Sequence, residues 1–361
     1  MGNYDTNLSP NIDDKQRIPG PTPDYFVGLR SSWEIDLWGK IRSRKKAAML
    51  RFMSSEQGRQ LISTQLISQV AGMYYQLMVL DYEQQVIERN IGLQETALAT
   101  VQIQQEAGRA TLLAVQQFNA QLLNTRSLSL GLRQQTLELE NQLNALLGRF
   151  PQNIKRDTAL LAMPLPPFAQ TGVPAGMLAL RPDIQQAALE LEAAKADIHA
   201  AKASFLPSLN ITPYLGLNSF NAGTLFNTPA SVAYGVLGGL SAPLLNKQQL
   251  RSQYNITTAA GMSAFYDYRQ RVINGYQEVI SALGKIRNGQ EAYTLKEAEV
   301  EMLKNGVSTA NVLYATGYAN YLEVITAQKS VLEAELALAG NKKELLLGTI
   351  TLYRALGGGK Q

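Results

Sequence analysis

GLRSSWEIDLWGKIRSRKKAA, residues 28–48, changes its period halfway along. From Gly28 to Asp36 the residues alternate. Leu29, Ser31, Trp33 and Ile35 fall on one side and Gly28, Arg30, Ser32, Glu34 and Asp36 on the other, the period of a half-buried strand. From Lys40 onward the stretch reads as helix. A strand that feeds a helix with almost no turn residues is unusual in a compact domain, where a loop normally reverses the chain. The rest of the sequence has to account for that junction.

Sliding the chain against itself reveals two copies of one unit. At an offset of 209, the distance from Tyr25 to Tyr234, Val27 meets Val236, Ser32 meets Ser241, Arg42 meets Arg251, Val70 meets Val279 and Gly108 meets Gly317. The register holds without a gap as far as Leu146-Leu147-Gly148 on Ala355-Leu356-Gly357. In the first copy Leu66, Val70, Met73, Leu77 and Leu80 are spaced alternately by four and three, and Val272, Tyr276, Val279, Leu283 and Ile286 repeat the spacing in the second. That is the seam of a coiled coil. No proline interrupts Arg42–Gly108 or Arg251–Gly317, so each interval predicts a helix of roughly 100 Å at about 1.5 Å per residue. Gly108 and Gly317 are the expected reversals, and return helices are expected over about 111–147 and 320–356. Each copy therefore reads as a long antiparallel helical hairpin joined to β structure.

Two further segments alternate. PSLNITPYLGL, residues 207–217, sets Leu209, Ile211, Pro213, Leu215 and Leu217 against Ser208, Asn210, Thr212, Tyr214 and Gly216. VAYGVLGGLS, residues 232–241, sets Val232, Tyr234, Val236 and Leu240 against Ala233, Gly235, Gly239 and Ser241. About ten residues with one apolar face and one small or polar face suit a membrane β-barrel strand. A hairpin on an ordinary sandwich has the same pattern, but attachment to such long helices favours the barrel. Trp33 and Trp38 fit either interfacial aromatics or plain packing.

Composition narrows the function classes. The 361 residues are 45% apolar but only 7% aromatic, with a formal charge of +4, and no basic block is interleaved with aromatics. Nucleic acid is therefore a poor partner. The basic run Lys40–Lys46 is either a solvated helix start or a surface facing lipid headgroups or a polar channel. With no cysteine, disulfides, thiolate metal sites and cysteine nucleophiles are excluded. The single histidine, His199, has no second imidazole or thiol for a metal site or triad and reads as a helix-surface or interhelix residue. No catalytic, cofactor or metal residue is assigned, and an enzyme is not expected. No run of about 18 apolar residues predicts a membrane-spanning helix.

SWEIDLWGKIR (32–42), LRPDIQQAALELEAAKADIHAAKASFLPSLNIT (180–212) and LSAPLLNKQQLR (240–251) resemble the hallmark stretches of TolC-like outer-membrane efflux proteins, in the NodT-like lipoprotein branch. The resemblance implies an α+β, mostly α fold of two tandem repeats, each a coiled-coil hairpin with membrane strands. Its parts are an external loop (1–22), a first repeat (23–148), an equatorial linker region (149–181), a second repeat (182–357) and a C-terminal tail (358–361). It further implies a homotrimer in the full-length form, each chain giving four strands to a 12-stranded barrel, with the helices forming a periplasmic tunnel. The strand then enters the helix directly because the barrel wall continues as the tunnel wall. The implied function is a passive outer-membrane exit duct for small molecules, served by an inner-membrane efflux pump and a periplasmic adaptor. A coiled-coil adaptor and a structural scaffold are the alternatives.

The resemblance also suggests roles for particular residues. Arg30, Ser32, Glu34, Ser208, Asn210 and Thr212 would face the barrel lumen. The hairpin tips, with Gly108, Arg109, Thr111, Gly317, Tyr318 and Asn320, would dock the adaptor. Tyr314 and Glu323 would form the pore gate, Glu323 matching one family acidic ring while a second acidic position falls on Thr326. The repeat also predicts that the chain begins inside its first unit. Shifting the helix at about 183–203 and the strand at about 205–217 back by the offset of 209 puts their counterparts almost wholly before Met1. A signal peptide and any lipid-anchoring cysteine would then lie upstream. Three strands per chain would remain of four, and this chain alone would be monomeric or irregularly associated.

Overall fold

The computed structural model describes residues 3–4, 23–156, 160, 163, 175–243 and 245–358. Most of the expected external loop, much of the equatorial linker and the tail beyond Gly358 lie outside these residues. The described elements are β1 (Asn3–Tyr4), β2 (Pro23–Arg30), β3 (Trp33–Ile35), α1 (Lys40–Glu106), α2 (Leu112–Leu146), α3 (Ala175–Leu178), α4 (Pro182–Ala203), β4 (Ser208–Ser219), β5 (Val232–Ser241), α5 (Lys247–Thr316) and α6 (Tyr321–Ala355). A short 3-10 turn, Ala222–Thr224, lies between β4 and β5. β1 sits inside the segment read as the external loop, pairing Asn3 with Asp24 and Tyr4 with Pro23.

The repeat is visible in the backbone, since α2 and α6 begin and end at equivalent positions of the two copies. Both long helices stop in the same way. Gly108 N–H donates to Gln105 O and Arg109 N–H to Gln104 O; one repeat later Gly317 N–H donates to Tyr314 O and Tyr318 N–H to Leu313 O. This paired closure needs a left-handed residue after the helix, and Gly108 and Gly317 supply it at φ 70° and 80°. Each return helix is then capped by a side-chain oxygen. Thr111 accepts from Ala114 N–H, and Asn320 from Leu322 and Glu323 N–H.

The described chain divides into two compact units that cut across the sequence repeats. The first, Met1–Met53 with Ala188–Asp267, holds the sheet. In it β4 is central and antiparallel to β2 and β3 on one edge and to β5 on the other. β2 and β3 are one strand in register, because Arg30 opposes Tyr214 and Trp33 opposes Ile211 with two residues between them on each side. The interruption has a local cause. Ser31 N–H donates to Pro213 O at 3.0 Å, and Pro213 has no N–H to return the bond. Beside the sheet, Ala47 packs on Ala193 and Ala196 with Leu50 against them.

The second unit, Ser54–Ala187 with Tyr268–Gln361, holds the hairpins. Leu77, Val70 and Met73 of α1 meet Leu139 and Leu143 of α2 along the expected seam. Met78 and Val79 turn instead to Ala339 and Leu346 of α6, so α1 packs on both hairpins. The expected seam is corrected at two positions, since Leu66 and Tyr276 are exposed. At Gly275 a Cβ would lie 3.2 Å from the Arg181 guanidinium. That large side chain takes the space, and the buried face of α5 runs through Gly275, Val279, Ala282 and Ile286 instead.

Candidate functional site

The sheet has two chemically distinct faces. Val27, Leu217 and Val232 align across the three strands, as do Leu29, Leu215 and Tyr234, and Ile35, Leu209 and Leu240. This apolar face is open, with Leu29 81%, Tyr234 78% and Leu240 73% exposed. On the other face Glu34 opposes Asn210, which in turn opposes Gly239, Ser208 opposes Ser241, and Arg30 opposes Tyr214, which in turn opposes Gly235. The register thus brings Arg30, Glu34, Ser208, Asn210 and Thr212 to one side. Ser32, with even spacing from Arg30 and Glu34, belongs to that side as well. Leu237 opposes Thr212 there and departs from the polar pattern, while Gly238 opposes Ile211 on the apolar side.

The polar face is packed through glycines. A Cβ on Gly28 would come within 2.5 Å of Gly216 Cα and 2.8 Å of the Phe26 ring, and one on Gly235 within 2.7 Å of Tyr214. The bare backbone lets Phe26 and Tyr214 meet edge to face, ring centroids 6.1 Å apart, with the Arg30 guanidinium 5.7 Å above Phe26.

Where the sheet ends, the helix is already prepared. The Asp36 carboxylate accepts from Ile41 N–H at 3.0 Å and Arg42 N–H at 2.8 Å, capping α1. Lys40 pairs with Glu34, and the Trp38 indole N–H donates to Pro207 O at 2.7 Å. Desolvation pushes the Asp36 carboxyl up, but the Arg42 and Ile41 N–H groups and the Arg42 guanidinium outweigh it and hold it below the usual range.

At the tips, Gly108, Arg109, Thr111, Gly317, Tyr318 and Asn320 are all exposed, Tyr318 to 86%. Leu112, Leu113, Val312 and Leu322 are exposed beside them. The Tyr314 hydroxyl donates to Gln104 Oε1 at 2.6 Å, joining the first hairpin to the second. Burial pushes that hydroxyl's pKa up, which keeps it a donor. Gln104 escaped the sequence reading; its only signal was its place four residues before Gly108. Glu323 is exposed and also has a cap role, accepting from Asn320 Nδ2 at 3.4 Å. Thr326 is exposed one turn further along.

Two buried cations, Arg181 and Lys342, and the half-buried Arg156 were also not foreseen. Arg181, only 5% exposed, donates to Asp183 Oδ1 at 3.0 Å and Oδ2 at 2.8 Å, to Glu278 at 2.9 Å and to Ala355 O at 2.7 Å. It gives the Leu180-Arg181-Pro182-Asp183 stretch a structural reason. Arg156 clamps α1 to α2 through Asp81 and Glu140. Lys342 donates to Met163 O at 2.6 Å, with its ammonium 5.3 Å from the Tyr293 ring centroid. His199 is exposed on α4, and nearby Asp197 is engaged by Arg51. Among the described residues no cluster of metal-ligating side chains occurs, and no helix is long and apolar enough to cross a membrane.

Comparison with known proteins agrees with this geometry. The outer membrane efflux protein family model matches residues 16–149 and 173–358. The pyoverdine export outer membrane protein OpmQ of Pseudomonas putida KT2440 is 30% identical over 338 residues, covering 93% of this chain and 71% of that protein. The cation efflux system protein CusC of Escherichia coli K12 is 26% identical over 364 residues, covering 99% and 77%. Among solved structures, the outer-membrane channel OprN superposes with a TM-score of 0.87 at 24% identity, covering 99% of this chain and 80% of that one. VceC of Vibrio cholerae gives a TM-score of 0.85 at 22% identity, covering 99% and 85%. The adaptor and scaffold alternatives give way, because β2 to β5, the junctions and both hairpins fall within the family match: the chain belongs to the outer membrane efflux protein family and is a TolC-like efflux channel of the outer membrane, not an enzyme.

Proposed function

We propose that this chain, as part of the full-length protein, supplies one third of a trimeric exit duct that receives small molecules from an inner-membrane pump through a periplasmic adaptor. The observation that carries the reading is the sheet. An apolar face, open and in register across three strands, lies opposite a face of glycine, serine, asparagine and charge, and the strand edge passes into α1 through a capped junction. In a membrane the first face suits lipid and the second a wet lumen lined by Arg30, Ser32, Glu34, Ser208, Asn210 and Thr212. The relatives named above export pyoverdine or cations, so substrate choice belongs to the pump that feeds the duct.

The Tyr314–Gln104 bond would hold the second hairpin against the first and keep the periplasmic end narrow, while three copies of Glu323 would gather negative charge there. Planar-bilayer recordings of the full-length trimer test this. Tyr314→Phe should raise the open probability, and Glu323→Gln should weaken cation block at low salt. Absence of any channel activity would overturn the duct; unchanged currents in both variants would remove these residues from the gate.

Adaptor docking at the tips makes a separate prediction. Nothing lies within 4 Å of a Cβ placed on Gly108 or Gly317, so a side chain there starts in open space, and for valine the cost is that of a left-handed backbone. The cost is about 1–2 kcal/mol, too little to unfold the hairpins. Trimers should still form, yet cells carrying either variant should become drug-sensitive as the reshaped tips lose the adaptor. Wild-type resistance in both would exclude docking at the tips.

A further inference from the structure

We propose that the helix-side rim of the sheet is a binding site for the phosphate headgroups of anionic phospholipids, with Arg44 and Lys45 at its centre. The inference rests on the membrane reading of the strands. All three chain passages leave the sheet at one level, where Ile35 opposes Leu209, Leu209 opposes Leu240 and Ser208 opposes Ser241. Just beyond it α1 begins at Lys40, α5 begins at Lys247 and α4 ends at Ala203. Cations gather there: Arg44, Lys45, Lys202, Lys247 and Arg251 are all exposed, and none has an ion-pair partner among the described residues. At the opposite end of the sheet, residues 23–26 and 218–233 carry a single charge, Asp24.

Of these cations only Lys202, in the last turn of α4, suits its helix dipole. Helix N-termini favour acidic side chains, since the peptide dipoles leave partial positive charge there. α1 meets this with the Asp36 cap, and its Lys40 and Arg42 are paired with Glu34 and Asp36, but α5 has no acidic residue in its first turn and its Lys247 has no ion-pair partner among the described residues. Arg44 and Lys45 follow within the second turn of α1. The local electrostatic cost points to a partner of opposite sign. Apolar groups identify its neighbourhood: Trp33, Leu37, Trp38 and Ile41 are exposed and continue the open sheet face to the level of these cations. Ile41, Lys45, Met49 and Phe52, at helical spacing, share one exposed face of α1. Apolar surface ending in aromatics and then in uncompensated cations matches a leaflet of acyl chains ending in phosphate.

Trp33 and Trp38, the two tryptophans of the chain, both stand at this rim and report on it. The protein would be reconstituted into phosphatidylethanolamine bilayers containing a minor fraction of phosphatidylglycerol, with one or the other lipid brominated on its acyl chains. Quenching should be several-fold more efficient per mole for phosphatidylglycerol at low salt. Each basic residue near a charged surface is worth about a fivefold preference, so R44Q/K45Q should remove most of it. R44K/K45R, which keeps the charge, should retain it, and circular dichroism should report the same helix content in all three proteins. Excess soluble glycerol phosphate should leave the preference intact; its abolition would identify a free-phosphate site and overturn the lipid assignment. Equal quenching by both lipids, or a preference unchanged in R44Q/K45Q, would overturn the proposal alone. Quenching by neither lipid would overturn the membrane reading and this proposal with it.

Discussion

Arg181→Ala will lower the unfolding free energy by about 3–5 kcal/mol, the cost of removing one partner from a buried ion pair. The guanidinium holds both oxygens of Asp183, one oxygen of Glu278 and the carbonyl of Ala355 near the end of α6. Alanine would leave the largely buried Asp183 carboxylate and that carbonyl without their donors. Lysine will not rescue the loss, because one ammonium cannot reproduce a planar fork that serves four acceptor oxygens. Loss of the helical circular dichroism signal on urea titration gives the measurement, and an R181A midpoint equal to wild type would refute the lock. The pH dependence supplies a second signature. Desolvation pushes Asp183 up, but Arg181 and the Ile184 N–H outweigh it and hold the carboxyl below its ordinary value of 3.8. A lowered folded pKa means that this contribution is complete above the ordinary value and disappears as pH falls through the folded one. Wild type should therefore lose its advantage over R181A progressively below about pH 4.

The sequence made legible whatever repeats at short range. Glycine and the caps marked both tips because a helix end is a local event, and the same residues recur one repeat later. Alternation gave the faces of β4 and β5 and bounded β5 at Val232–Ser241. The break between β2 and β3 was less visible, since its cause is a proline in another strand, brought opposite Ser31 only by folding. The Tyr314–Gln104 bond joins residues 210 apart, and no periodicity couples them. The exposure of Tyr276 belongs to the same class. A heptad pattern counts apolar residues along one helix and does not register that Arg181, from a different segment, already fills the adjoining space. Thus the elements and tips could be read locally, while the Tyr314–Gln104 link and the buried arginine lock required the tertiary register.

The sheet should be less tolerant than the helices, and Gly28 is where that shows most clearly. Gly28 opposes Gly216, which opposes Ala233, so three small residues cross the sheet in one row. A Cβ on Gly28 would sit 2.5 Å from both Gly216 Cα and Leu215 O, and these are backbone atoms that no rotamer change can move aside. Gly28→Val must therefore separate β2 from β4, sacrificing ladder hydrogen bonds whose donors and acceptors have no substitute in lipid. Gly238 and Gly239, in the same sheet, have nothing within 4 Å of an added Cβ. Their alanine variants should insert and resist protease like wild type. Gly28→Val should fail to reach a protease-resistant membrane form, while its helices, which lie outside the sheet, still give a strong helical signal. Should Gly28→Val and Gly238→Ala insert equally well, β2 cannot pair with β4 in this register, and the division of the sheet into lipid-facing and lumen-facing sides would have to be redrawn.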